Sequence, residues 1–488
     1  MKKNLWAIRF LLLLLSLAIL LPIFAGCSEE EQQAAATNAQ PKETGDVTEE
    51  FLSDNIPEDL KFNKVVTVLG CKQQAYHYRV EELSDNVVGN VIYNRNLTVE
   101  ERLGIEIDWI LEEGTFNERD AFIKKVEAQN QGGKPYDAAI CYNLLPYAMA
   151  MKGLCENLNN TKYIDLSAPW WPQSYLETGI YKDQIFGLVE SCSYGTLERM
   201  IATFFNESLL EDKQLEHPYD LVANNEWTYE KLTSMIKDTY EDKNTATSGK
   251  DAGDFFGFCA GGTQPMLDGW FFSLGNRYSQ VNSDGELELL LGTPETEAYF
   301  EKFLGVFETD DAYLYDASHT VMFKEKRAIF YNTIVGMTGT LLDTDIEYGV
   351  VPTPKGSVDQ KYYTHLGNTH EAWAIPLGVA DMDCSSALLE CMASESYRQT
   401  DPVYFESQLK LRYAHDERIA DMYDLIRDHI GFDFCYLYTV AFTDATQPNA
   451  LIRKCVTKPT QNKWATVWGS NKTVFEAQFQ TILDSYAN

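Results

Sequence analysis

Basic residues, histidine, cysteine and catalytic motifs are what this sequence has least of. Its 488 residues carry 73 Asp and Glu against 40 Lys and Arg, a formal charge of −33. A surface of that sign repels phosphate backbones and argues against nucleic acid as a partner. It repels anionic lipid headgroups too, so membrane attachment needs something other than charge. The 7 histidines are dispersed and the 10 cysteines form no Cys-x-x-Cys or Cys/His metal spacing. No G-x-S-x-G, H-E-x-x-H, phosphate-binding loop or G-x-G-x-x-G occurs. Catalysis requires a nucleophile, a base and an orienting group together. The paired acids present (Glu81-Glu82, Glu112-Glu113, Asp310-Asp311) read as solvated surface. The expectation is no enzyme, no metal and no cofactor.

Long apolar runs are also rare. The prominent one spans residues 10–24, behind Lys2, Lys3 and Arg9, which is the pattern of a secretory signal. It closes in Phe24-Ala25-Gly26-Cys27, and small residues before a cysteine resemble a bacterial lipobox. That resemblance implies that residues 1–26 are a lipoprotein signal peptide and that Cys27 carries lipid. Lipid then supplies the attachment that charge does not. Residues 27–60 are acidic and nearly free of aromatics, as in a disordered tether. The body is therefore expected on the extracellular face of the cell membrane. Its nine remaining cysteines are odd in number, so at least one has no intramolecular partner. Buried thiols would reconcile this with an oxidising exterior.

What the body does have is apolar and aromatic mass, at 45% and 13% of the chain. Strands are expected at 64–69 and 105–111, with a helix over 91–103 ending at Gly104. An amphipathic helix over 115–129 and a strand over 136–142 complete a β-α-β-α-β rhythm. Such a rhythm means parallel strands, with ligands beyond their carboxyl ends. Residues 180–190 suggest a hairpin turning at Lys182-Asp183, followed by a strand at 200–205. Thr228 caps one helix, Pro294 opens another, and 348–351 is a strand stopped by Pro352.

Several segments carry a resemblance. Pro135-Tyr136-Asp137-Ala138-Ala139, Phe204-Phe205-Asn206-Glu207-Ser208-Leu209-Leu210 and Trp227-Thr228-Tyr229-Glu230-Lys231-Leu232 are similar to segments of the family 1 extracellular solute-binding proteins of ABC importers. So are Phe323-Lys324-Glu325-Lys326-Arg327-Ala328 and Tyr348-Gly349-Val350-Val351-Pro352-Thr353-Pro354-Lys355-Gly356. The order of the five matches the family, which includes maltose-binding protein. Lys326 departs from the pattern, which usually has Gly there. The resemblance implies an α/β fold of two lobes, of the type II periplasmic-binding-protein class, with interlobe crossovers and a C-terminal helical region. Lobe I is expected at 61–190 and 366–410, and lobe II at 191–365 and 411–488. Crossings fall near 189–194, 363–366 and 397–413. The implied function is capture of a carbohydrate, an oligosaccharide above all, in the interlobe cleft by a monomer that delivers it to ABC permease subunits. A secreted carbohydrate-active enzyme, a surface sensor and a receptor for a non-sugar solute stay open as alternatives.

A sugar ring offers an apolar face and a fringe of hydroxyls. Aromatic rings desolvate the one, and Asn, Glu and His satisfy the other. At the expected strand ends and crossings this selects Tyr76, His77, Glu113, Tyr142, Asn143, Tyr194 and His365. From the second lobe, Trp270, Tyr331 and Asn332 are the candidates. Core packing is the competing reading for each ring in a chain so rich in aromatics.

Overall fold

Two sheets are assembled from separate stretches of chain. A computed structural model describes residues 53–486, apart from 244–248, 262–263, 308, 315–318, 342–343, 368–369, 413–415 and 459–460. The signal segment, Cys27 and most of the expected tether lie outside the described residues. The strands are β1 (Lys64–Cys71), β2 (Ile105–Glu112), β3 (Ala138–Tyr142), β4 (Ile201–Asn206), β5 (Phe256–Ala260) and β6 (Ser279–Val281). They continue as β7 (Leu287–Leu289), β8 (Ala312–Leu314), β9 (Ala328–Ile334), β10 (Tyr348–Pro352) and β11 (Glu371–Ala374).

The first sheet has the order β11-β3-β1-β2. β1 runs parallel to β2 and β3, while β11 returns antiparallel, placing Glu371 opposite Tyr142. All five residues of β3 are buried, as expected of a parallel strand covered on both faces. The helix Val87–Leu103 between β1 and β2 starts where Asn86 accepts from the Gly89 N–H. It stops at Gly104, whose φ of 61° is a left-handed turn that costs glycine little. Helix Arg119–Gln131 then leads to β3.

The second sheet has the order β10-β4-β9-β5-β8. Its middle strands carry continuous apolar runs, and helix Tyr229–Ile236 begins where Thr228 accepts from the Lys231 N–H. Lys326 holds φ at 56° just before β9. The backbone here thus keeps the conformation for which the family pattern uses glycine, at a cost for a lysine.

Two adjacent segments join the sheets. Leu188 bridges Trp373 of the first sheet, and β4 of the second begins at Ile201. On the return, Leu366 bridges Met200 and the Gly367 N–H donates to the Arg199 carbonyl at 2.7 Å. The hairpin expected over 180–190 is therefore only a turn. Lys182 and Asp183 take φ values of 47° and 58° and close one bridge, Tyr181 to Gln184. Its second arm is recruited by β11 instead. Beyond β11, helix Met382–Glu395 packs on helix Val87–Leu103, whereas helix Arg418–Asp428 packs on β10.

The segment 53–60 corrects the expected tether. Ile56 is buried, and the Asp54 side chain is 1% exposed between Arg102 and Arg398. The folded body thus begins by residue 54, because that carboxylate finds two guanidinium partners. All nine described cysteines are free and buried.

Candidate functional site

β1 runs into a tight helical segment, Lys72–His77, at the carboxyl end of the parallel strands. This segment turns Tyr76 outward, 45% exposed, and His77 fully inward. The His77 ring donates from Nδ1 to Glu371 Oε2 at 2.7 Å and from Nε2 to Glu198 Oε2 at 2.8 Å. Glu371 opens β11, on the first sheet. Glu198 lies on helix Tyr194–Arg199, within the first joining segment, with Gly336 of the second sheet's side against its methylene. One imidazole therefore joins the carboxylate that opens β11 to a carboxylate on the joining helix.

Hydrogen bonds from both ring nitrogens to acceptors require an imidazolium. Burial alone pulls the His77 pKa down, but the two carboxylates outweigh it and bring it up to about 9. Glu198 is pushed up by burial and pulled lower, overall, by the His77 hydrogen bond and Arg199. Around this core, Tyr76 Oη donates to Glu198 at 3.1 Å and accepts from Arg199 Nη2 at 2.8 Å. Burial and Glu198 raise the Tyr76 phenol to about 12. The Tyr194 ring stands perpendicular to His77 at 5.6 Å and edge-on to Tyr404 at 4.7 Å. Ser193 caps this short helix by accepting from the Thr196 N–H. Gly195 is required by close approach, since a Cβ there would fall on the Glu371 carboxyl.

Tyr142 and Asn143 follow on β3, both buried, with the Asn143 N–H donating to the His370 carbonyl at 3.2 Å. The Asn143 amide lies beside the Tyr436 phenol. His365 packs between that same ring, at 4.6 Å, and Phe272, at 5.3 Å. Burial lowers His365 to about 3 and His370 to about 4, so both are neutral imidazoles. Among the described residues, neither His365 nitrogen has a hydrogen-bond partner, and the same holds for His370 Nε2. Polar atoms stripped of water without a partner are costly, which fits a surface built to take one up.

The structure therefore brings Tyr76, His77 and Tyr194 into one cluster, and sets Tyr142, Asn143 and His365 around His370 and Tyr436. Glu113 is exposed on the rim of a separate cavity of about 380 Å³, beside Lys72, Glu118 and Lys125. Trp270, Tyr331 and Asn332 belong instead to the packing of the second sheet. Trp270 stands edge-on to Phe258, and Tyr331 shares a hydroxyl contact with Thr320. The Asn332 amide donates to the Ala202 carbonyl and to the Thr203 and Thr353 hydroxyls. Its amide nitrogen is thus committed within the sheet, whereas Asn332 Oδ1 and Trp270 Nε1 are buried with no hydrogen-bond partner among the described residues. The Trp170-Trp171 pair is structural: both indoles donate to Glu390, at 3.0 Å each.

Sequence reasoning missed Glu198, Arg199 and Glu371. For Glu371 a signal existed. An acid opening a wholly buried strand, Glu371-Ala372-Trp373-Ala374, needs a partner. Its partner lies 294 residues away, and nothing local identifies it.

No family model matches the chain, and no curated protein matches it by sequence. Solved structures do match. The cyclic α-maltosyl-1,6-maltose binding protein of Arthrobacter globiformis aligns at a TM-score of 0.56 and 13% identity, covering 86% of this chain and 98% of its own. The fold is that of the two-lobed ABC substrate-binding proteins. An ABC substrate-binding protein of Listeria monocytogenes, solved with cycloalternan, aligns at 0.54 and 14% identity over 84% of this chain and 99% of its own. UgpB of Mycobacterium tuberculosis, solved with glycerophosphocholine, aligns at 0.54 and 12% identity over 86% and 99%. No helix among the described residues is long and apolar enough to cross a membrane.

Proposed function

We propose that this chain is the extracellular substrate-binding subunit of an ABC importer, held by lipid on Cys27, that captures a carbohydrate between its lobes. The observation that supports the reading is the buried polar and aromatic cluster around His365, His370 and Tyr436. There, both His365 nitrogens and His370 Nε2 are neutral hydrogen-bonding atoms without a partner among the described residues. Neutral imidazoles and phenols match the hydroxyls of an uncharged sugar, with Tyr76 and Tyr194 available to cover a ring face. The sugar-bound neighbours support the same class. Ligand would favour the closed lobes through contacts made only there, and a permease would read the closed form. Lobe I is 61–190 with 366–410, and lobe II is 191–365 with 411–488. The chain leaves glycosides intact.

Calorimetry with cycloalternan, cyclic maltosyl-maltose and linear maltodextrins tests this. Saturable one-to-one binding without hydrolysis is expected. A ligand at a hundredfold its Kd should stabilise the fold by about 2.7 kcal/mol. A second reading, a non-sugar solute, is favoured by the neighbour solved with glycerophosphocholine and by the charged groups around His77. Binding of that diester, with every sugar silent, would select it.

A further inference from the structure

One residue, Gly367, fastens Arg199 and His370 into the same neighbourhood. Its N–H donates to the Arg199 carbonyl at 2.7 Å, and its carbonyl accepts from His370 Nδ1 at 3.0 Å. A carbonyl oxygen only accepts, so Nδ1 carries the proton. Burial, with the nearby guanidinium charge behind it, keeps the His370 ring neutral. The tautomer is thereby fixed, and Nε2 offers a lone pair to which no described residue donates. Arg199 supplies the complement. Its Nη2 donates to Tyr76 Oη at 2.8 Å, but its Nε–H is buried with no hydrogen-bond partner among the described residues. Glu198 Oε2 stands 3.7 Å from Nε, too far for a hydrogen bond, and already accepts from His77 and Tyr76. The Arg199 side chain keeps 20% exposure and touches the 45% exposed Tyr76, so the pair lies just inside the surface.

A dry donor and a dry acceptor left unpaired are both costly. A carboxylate or phosphate oxygen accepts from Arg199 but has no proton to give His370. An ammonium donates to His370 but cannot accept from Arg199. A hydroxyl does both at once. We propose that Arg199 Nε and His370 Nε2 read one hydroxyl of the captured solute, which accepts from the first and donates to the second. The two residues are thus specificity-determining, and the group they recognise is an uncharged alcohol. This rests on the reading that solute is captured beside the cluster of His365, His370 and Tyr436, and adds to it the atom pair that does the selecting. An ordered water satisfies the same two atoms, and the experiment separates water from solute.

The probes are cycloalternan, linear maltodextrins and glycerophosphocholine, with monodeoxy analogues of whichever binds. Nitrogen-15 spectra of the histidine rings, with His370 assigned by its loss in His370→Asn, should show Nδ1 protonated and Nε2 bare at pH 7 before any probe is added. Asparagine keeps a donor at the Nδ1 position and lacks Nε2. By calorimetry, His370→Asn and Arg199→Met should each weaken the parent probe about tenfold or more. One monodeoxy analogue should weaken wild type by a similar factor and be bound equally by wild type and His370→Asn, the signature of a direct pair. If a variant fails to fold, the wild-type Nε2 resonance decides, and it should differ between the parent and that one analogue alone. A proton on Nε2, or a parent probe that binds with no deoxy position coupled to His370, overturns the inference and leaves capture standing, with water only at the pair. A panel in which nothing binds overturns the capture reading and the inference together.

Discussion

Asp54→Asn isolates the contact that starts the folded body. The carboxylate accepts from Arg102 through both oxygens, at 2.7 and 2.8 Å, from Arg398 at 3.1 Å and from Ser394 Oγ at 2.6 Å. It thereby fastens the segment that leads in from the N-terminus to helix Val87–Leu103 and to the segment 394–398. Burial pushes its pKa up, but the Arg102 and Ser394 hydrogen bonds and the two guanidinium charges prevail, holding it at about 2 rather than 3.8. A shift of that size is worth about 2.4 kcal/mol if fully expressed. Arg102 and Arg398 keep partial exposure, and solvent screening reduces the figure to about 1–2 kcal/mol. Because the folded pKa lies below the unfolded one, the contribution is complete above pH 3.8 and disappears as pH falls through 2. Asparagine preserves the shape and removes the charge. Urea denaturation at pH 7 should show the variant less stable by about 1–2 kcal/mol at an unchanged m-value. The gap should shrink steadily from pH 4 toward pH 2. A variant within about 0.5 kcal/mol of wild type at pH 7, or a gap independent of pH, would refute the reasoning.

Two other substitutions have defined outcomes. Glu390→Gln replaces one of two acceptor oxygens that serve Trp170, Trp171 and the Asp165 N–H, all donors. One buried donor is orphaned, and unfolding in urea should register a loss of about 1–3 kcal/mol. The Trp170 carbonyl holds the Ser191 N–H at the first crossing, so hydrogen exchange around residue 191 should quicken as well. Gly195→Ala puts a methyl on the Glu371 carboxyl and should cost about 1–3 kcal/mol by overpacking, seen as a lowered Tm. Its His77 imidazole should also lose protonation at lower pH than wild type, since Glu371 is displaced.

Local chemistry was readable from the chain; long-range company was not. Thr228 and Gly104 announce helix ends because capping is settled within four residues, and each acts as read. β1 and β3 follow from apolar runs suited to covered parallel strands, and β2 from the apolar/charged alternation of Ile105-Glu106-Ile107-Asp108 at the sheet edge. The turn at Lys182-Asp183 was legible, but its hairpin was not, since Leu188 chooses between a neighbour and Trp373 of a distant strand. The site shows the same limit. Strand-end and crossing positions single out His77, Tyr76 and Tyr194, which the fold brings side by side, while Glu198 and Glu371 needed the fold to reach them. The Asn332 nitrogen is taken up by Ala202, Thr203 and Thr353, neighbours that sequence does not name.

The most direct measurement of the central claim is a crystal structure with an oligosaccharide that calorimetry shows to bind. The account predicts the sugar enclosed between the carboxyl end of the first sheet and helix Tyr194–Arg199, touching Tyr76 or Tyr194 and reaching His365 or His370. Sugar seated on the outer face of either sheet, with none of these side chains in contact, would contradict it.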